Sequence, residues 1–112
     1  MTVTAKALIP GKYAATTVTA EYTVPGSTKT IIDKFTALNS DGSAATVSIY
    51  IVPSGQAASN SNRIINAKSI GSLATYDFTE LKNHVMSAGE AIHVIAGTAT
   101  AVSIRASGRE VT

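Results

Sequence analysis

The side chains in this chain able to carry acid–base, nucleophilic or metal chemistry are few and scattered. His84 and His93 are the groups that titrate near neutral pH when unperturbed. They fall on different expected elements, with no HxH, HxxxH or HxE spacing to set two metal ligands side by side. His93 lies between Ile92 and Val94, on the side of its strand away from the core, which reads as a structural or surface position. The acids Glu21, Asp33, Asp41, Asp77, Glu80, Glu90 and Glu110 are equally dispersed. Two carboxylates about 5–10 Å apart across a cleft would hydrolyse a glycoside, but sugar sites also use aromatic platforms and this chain has no Trp. Asp41 falls in Asn39–Ser43, a turn composition in which Asp bonds to nearby backbone. Ser54, in Pro53-Ser54-Gly55, lacks both the G-x-S-x-G pattern and the strand–turn–helix setting of an activated serine. Gly11 and Gly108 are isolated, so there is no phosphate-cradling loop. Without cysteine there is no disulfide, zinc knuckle or thiol nucleophile. The reading is a protein that is not an enzyme, with no catalytic residues, metal or cofactor.

The elements that would position these groups are strands. In Ala44–Gly55 (AATVSIYIVPSG), Ala45, Val47, Ile49 and Ile51 alternate with Thr46, Ser48 and Tyr50, the period of a half-buried strand. β-Branched and aromatic residues suit that pleated surface. Turn compositions bound it on both sides, and it reads as a central strand. Before it, Thr2–Leu8 alternates Val3, Ala5 and Ala7 with Thr2, Thr4 and Lys6. It reads as an edge strand or, over residues 1–9, as an extended N-terminal arm that pairs only with a neighbour. Ile9-Pro10-Gly11 is a turn signal, and Thr16–Val24 a strand closed by Pro25-Gly26-Ser27.

Lys29–Leu38 has apolar residues on both faces, which suits a strand covered on both sides by a second subunit. The short Asn39–Ser43 connection predicts a β-hairpin over residues 29–52. Pro53–Asn62 is small, polar and aperiodic, a mobile surface loop by composition. Strands follow over Arg63–Ile70, Leu73–Leu81 (with Tyr76 and Phe78 on one face), Ala91–Ala96 and Thr100–Ala106, with Val102, Ile104 and Ala106 inward. Ser107-Gly108 ends the last one, leaving Arg109–Thr112 as a tail. The count is about eight strands at the spacing of a sandwich. The fold class is all-β: a single-domain antiparallel β-sandwich, jelly-roll-like, over residues 1–112.

The totals agree. Hydrophobic residues are 45% of the chain and charged residues 14%, too apolar for a disordered segment, but much of that 45% is Ala, which predicts a thin core. A small domain with a thin core and no cysteine gains from oligomerisation. The net charge of +2 comes from nine Lys and Arg scattered singly, without the clustered basic residues and stacking aromatics of a nucleic-acid binder. No apolar run approaches the ~18–20 residues that span a bilayer, and the first residues do not read as a signal peptide. The expectation is a protein made in the cytoplasm that binds neither nucleic acid nor membrane.

Three segments, Glu21-Tyr-Thr-Val-Pro25, Lys29-Thr-Ile-Ile-Asp-Lys34 and Val47-Ser-Ile-Tyr-Ile-Val-Pro-Ser-Gly55, resemble small structural proteins of tailed bacteriophages. Ser87-Ala-Gly-Glu-Ala-Ile92 and Ile104-Arg-Ala-Ser-Gly-Arg-Glu110 extend the likeness over nearly the whole chain. The resemblance implies a β-sandwich or jelly-roll subunit of the virion, of the capsid decoration (cement) type. Such a subunit would be a homo-oligomer bound to the major capsid protein or to other virion proteins. A collar, tail or fibre-attachment subunit is the nearest alternative. A carbohydrate- or receptor-binding module, with a cleft holding Tyr13, Tyr22, Tyr50 or Tyr76, is the next. The expected contact residues are Thr2, Val3, Thr4, Ala5, Lys6, Ala7 and Leu8 on the first strand, with Pro53, Ser54, Gly55, Gln56 and Arg63 in the loop.

Overall fold

A computed structural model describes residues 1–112 as nine strands and one 3-10 turn. The strands are β1 (Val3–Tyr13), β2 (Thr19–Thr23), β3 (Lys29–Asn39), β4 (Ala45–Val52), β5 (Arg63–Ile70), β6 (Thr75–Asp77), β7 (Val85–Met86), β8 (Ala91–Ala96) and β9 (Val102–Val111). They form two antiparallel sheets. Sheet A runs β1-β9-β3-β6, with β7 also paired to β3, and sheet B runs β2-β8-β4-β5. The pairs are nested along the chain: β4 with β5, then β3 with β6, β2 with β8 and β1 with β9. With the two-residue β7 set aside, this is an eight-stranded jelly roll. The fold class read from the sequence holds.

Nesting overturns the hairpin expected over residues 29–52, because β3 and β4 lie in opposite sheets. The cause sits at their junction. Asn39 is fully buried; its Nδ2 donates to the carbonyls of Ser43 (2.8 Å) and Ile70 (2.9 Å), and its Oδ1 accepts from the Asp41 amide (2.9 Å). One amide thus lifts the chain out of sheet A and stitches the crossover to the end of β5. A turn-rich stretch serves a crossover as well as a hairpin.

Bulges account for the other departures. β3 slips register between Ile32 and Lys34, so Asp33 is the extra residue against β9. A bulge switches which face each following side chain takes. Ile32, Phe35 and Ala37 therefore all point inward and are buried. That switch accounts for Phe35 and Ala37, while Ile31 and Leu38 remain apolar on the outer face of the sheet. In β1, shifts at Ala7/Ile9 and Ile9/Lys12 keep the strand running through Pro10-Gly11, with Gly11 at φ +94°, where a turn was expected.

β9 likewise continues through Ser107-Gly108 to Val111. At Gly108 a Cβ would lie 2.2 Å from the Ile31 carbonyl oxygen and 2.9 Å from Leu8 Cδ1, so only glycine lets β9 pass this close to the bulged β3. Of the segment expected as a strand over Leu73–Leu81, only Thr75–Asp77 is extended, and Thr79–Leu81 is a 3-10 turn.

The core lies between the sheets. Its large side chains include Phe35, Phe78, Ile32, Ile49, Ile92 and Ile104, interleaved with Ala37, Ala45, Ala96, Ala101 and Ala106. Phe78 packs near-perpendicular to both Phe35 and Tyr76, with ring centres 5.6 and 4.8 Å away. The inward sets of β8 (Ile92, Val94, Ala96) and β9 (Val102, Ile104, Ala106) are buried as their alternation predicts.

Candidate functional site

β1 forms one edge of sheet A and pairs along its length with β9 alone. The phase of that ladder can be read from its end. Thr2 and Thr112 exchange both backbone hydrogen bonds (3.0 and 2.9 Å), so they form a hydrogen-bonded pair. Such pairs alternate along an antiparallel ladder, so Thr4 opposite Glu110 and Lys6 opposite Gly108 are bonded in the same way. Val3, Ala5 and Ala7 consequently aim their N–H and C=O groups away from β9, into the open edge. Residues 2–8 are thus an edge strand with one side free, not a detached arm. Leu8, at the bulge, is buried.

The outer face of sheet A carries apolar groups at both ends. Val3 faces Val111, and Ala5, Arg109, Ile31 and Val85 follow one another across four strands. Val3 and Val85 are 52% and 60% exposed, while Ile31 and Val111 are half-buried. Arg109 grips Asp33, the β3 bulge residue, through Nη2 (2.9 Å) and Nε (3.1 Å). That hydrogen bonding, with the carboxylate's charge, raises the guanidinium pKa further. At the far end, Tyr13, Ser103, Leu38 and Thr75 form a second row, beside a shallow depression of about 340 Å³ lined by Lys12, Leu38 and Arg105 among others.

The second predicted contact segment lies elsewhere. Pro53, Ser54, Gly55 and Gln56 belong to the β4–β5 connection and Arg63 opens β5, on the half of sheet B that ends in that edge strand. β1 instead overlies β2, the opposite edge of sheet B, where Lys12 meets Glu21 at 2.8 Å. The two segments do not join into one surface. The loop expected to be loose is laced by Asn62, which accepts from the Ser59 amide and donates to the Ala57 carbonyl (both 3.0 Å). Ser54 abuts Gly89, and the Arg63 guanidinium lies over the Tyr50 ring at 5.5 Å and bonds to Asn60 and Asn66.

A polar clasp between the sheets was invisible in the sequence. Tyr22 of β2 donates its hydroxyl hydrogen to Glu110 Oε2 of β9 (2.5 Å), which leaves the Thr30 hydroxyl of β3 to donate to the Tyr22 oxygen (2.7 Å). Lys6 of β1 completes it, 3.4 Å from the same Glu110 oxygen and 5.9 Å from the centre of the Tyr22 ring. Burial first, and the hydrogen bond to Glu110 second, push the Tyr22 phenol up to about 12. Residues 6, 22, 30 and 110 converge only through nested pairing, and no local pattern marks them.

The remaining titratable groups are apart or engaged. His93 lies on the outer face of sheet B beside Tyr50, and His84 precedes β7, its carbonyl accepting from the Ile32 amide (3.0 Å). No three His, Asp or Glu side chains gather as a metal site. Glu90 accepts from the Ser87 amide (2.6 Å), and Asp41 from the Gly42 amide (2.9 Å), the local turn bonding expected of it. Glu80 accepts from the Tyr76 hydroxyl (3.0 Å), a bond that raises the Tyr76 pKa. No helix is long and apolar enough to cross a membrane.

The class defined by this geometry is a two-sheet jelly-roll β-sandwich whose longest edge strand is β1. No protein family, curated protein or solved structure matches the chain.

Proposed function

We propose that this chain is a virion structural protein of the capsid decoration type, a homo-oligomer that binds the outer surface of the major capsid shell and braces it. The observation that carries the reading is the continuous surface made by the β1 edge and the outer face of sheet A. A brace must hold its partner by contact alone. An open strand edge supplies main-chain hydrogen bonds for affinity, and alternate side chains supply register. Val3, Val111, Ile31 and Val85 beside it add apolar groups, with Arg109, paired to Asp33, set among them between Ala5 and Ile31 and with Lys29 next to Val111. The jelly roll is used by viral capsid and lectin domains alike, and a fold by itself does not choose between them. The phage-like strand and turn segments favour the virion. Of the tyrosines named for a sugar cleft, Tyr22 and Tyr50 are buried, which leaves little of either ring as a platform.

The test is the copy number of this chain in purified particles, by quantitative mass spectrometry against the major capsid protein. A ratio near one or one-third is expected. A few copies per particle would move the chain to the collar, tail or fibre attachment, and its absence from particles would overturn the virion reading.

A further inference from the structure

We infer that β1 pairs with β1 of a second copy of this chain, antiparallel, about a two-fold axis at Ala5. The inference deepens the homo-oligomer part of the proposed function: it gives the single free side of β1 to a second copy, so that the outer face of sheet A is what remains to meet the shell, and it requires no capsid. Edge strands are usually blunted by shortness, bulges or inward charge, and three of the four edge regions here are. β2 has five residues with a register shift at Glu21. β5 shifts register twice against β4 and carries Ala67 at φ +48°. β6 and β7 have three and two residues. β1 bulges only after Ala7, and its inward Lys6 is neutralised by Glu110; Val3 to Ala7 is a regular, exposed run whose free N–H and C=O groups belong to residues 3, 5 and 7.

That run is complementary to itself. An axis at Ala5 sets Val3 against the partner's Ala7, Ala5 against the partner's Ala5, and Ala7 against the partner's Val3. All three are hydrogen-bonding pairs in the required phase, for about six backbone hydrogen bonds in total. Lys6 then faces Thr4 of the other copy. Sliding the axis to residue 6 would set Lys6 against Lys6, a like-charge pair that destabilises a sheet. Sliding it to residue 4 would leave Ala7 without a partner inside the run. The axis at Ala5 is the register that uses the whole segment and opposes no charges. It makes an isologous contact, which closes as a dimer, and joins two copies of sheet A into one sheet with Val3 of each copy beside Ala7 of the other.

The chain has no cysteine, so introduced thiols report the register directly. At an axis through residue 5, Ala5→Cys places two Cα atoms about 5.5 Å apart, within disulfide range. Val3→Cys places them about 14 Å apart, four residues along the strand. We expect the wild type to dimerise in sedimentation equilibrium over a concentration series reaching roughly 1 mM, the weak end of specific association. Under mild oxidation Ala5→Cys should cross-link at least tenfold faster than Val3→Cys.

Ala5→Pro removes an N–H that faces away from β9, so the β9 ladder survives while the dimer constant weakens at least tenfold. Reduced Ala5→Cys, unchanged in fold and dimerisation, guards against misreading a folding defect. A chain that stays monomeric throughout the series overturns the proposal, as do equal cross-linking rates for the two thiols. A monomer whose Ala5→Pro variant loses particle binding also overturns it, and assigns the edge to a strand of a partner protein. Particle copy number reads the proposed function separately.

Discussion

Replacing Tyr22 with Phe tests whether the inter-sheet clasp stabilises the sandwich. The change keeps the ring against Lys6 and removes one hydroxyl. Two partners are then stranded: the Thr30 hydroxyl, which is fully buried, and Glu110 Oε2, whose remaining partner is Lys6 at 3.4 Å. A hydrogen bond to a charged group contributes about 1.5–3 kcal/mol, and a buried orphan costs about as much as a lost bond. The expected loss is about 2–3 kcal/mol, or roughly 8–12 °C in Tm for a domain of this size. Thr30→Val added to Tyr22→Phe should recover part of it, because the pair then leaves no orphan between them. The pH dependence is a second signature. An unfolded tyrosine ionises near 10 and the folded Tyr22 near about 12, so between them the native state keeps a proton that the unfolded chain has released. This contribution is whole below about pH 10 and is lost as pH rises to about 12, with a slope of up to about 1.4 kcal/mol per pH unit. Urea melts of wild type and Tyr22→Phe from pH 8 to 12 should therefore converge at the alkaline end. A loss under about 0.5 kcal/mol, or pH curves that stay parallel, would refute the clasp.

Two further substitutions address how the sheets are held. Gly108→Ala should lower stability by roughly 3 kcal/mol or more, because the new methyl meets the Ile31 backbone oxygen at 2.2 Å and neither strand has room to yield; a urea midpoint within error of wild type would show that β9 can move away from β3. At the β1–β2 seam, the Glu21 side chain is 2% exposed and Lys12 is 51% exposed. Lys12→Met, which leaves the carboxylate buried and uncompensated, should cost roughly 3–5 kcal/mol. Glu21→Gln, which frees an ammonium already half in water, should cost clearly less, and the reverse order in equilibrium unfolding would refute the asymmetry.

Legibility in the sequence followed the regularity of the strands. β4, β8 and β9 keep their period through the core-facing stretch, so Val47, Ile49, Ile92, Val94 and Ile104 could be placed inward by counting. β3 could not be read this way, since Asp33 inserts a residue mid-strand and brings Phe35 and Ala37 onto the face of Ile32 instead of that of Ile31. Pro10-Gly11 carries turn chemistry that a bulged edge strand also uses, and Asn39–Ser43 fits a crossover as readily as a hairpin. The free side of β1 was half legible: alternation marked the segment, while the phase of its free amides needed the Thr2–Thr112 pairing. The Tyr22 clasp was illegible because its members lie on four strands, brought together by nesting alone.

The nesting also orders events in time. Of these nine strands β1 is synthesised before the others, and its one partner, β9, after them. The inner pair, β4 with β5, can form as soon as its own residues are free, but the outermost pair must wait until all the strands between them have been made. Pairing across such a long span closes a large loop and is slow, and both sides of β1 are unprotected meanwhile. The window in which Val3, Ala5 and Ala7 can engage the wrong neighbour therefore opens early in translation and closes only when β9 leaves the ribosome. Moving β1 to follow β9, by joining Thr112 to Thr2 through a two-residue turn and opening the chain elsewhere, would shorten that window while keeping every strand in place.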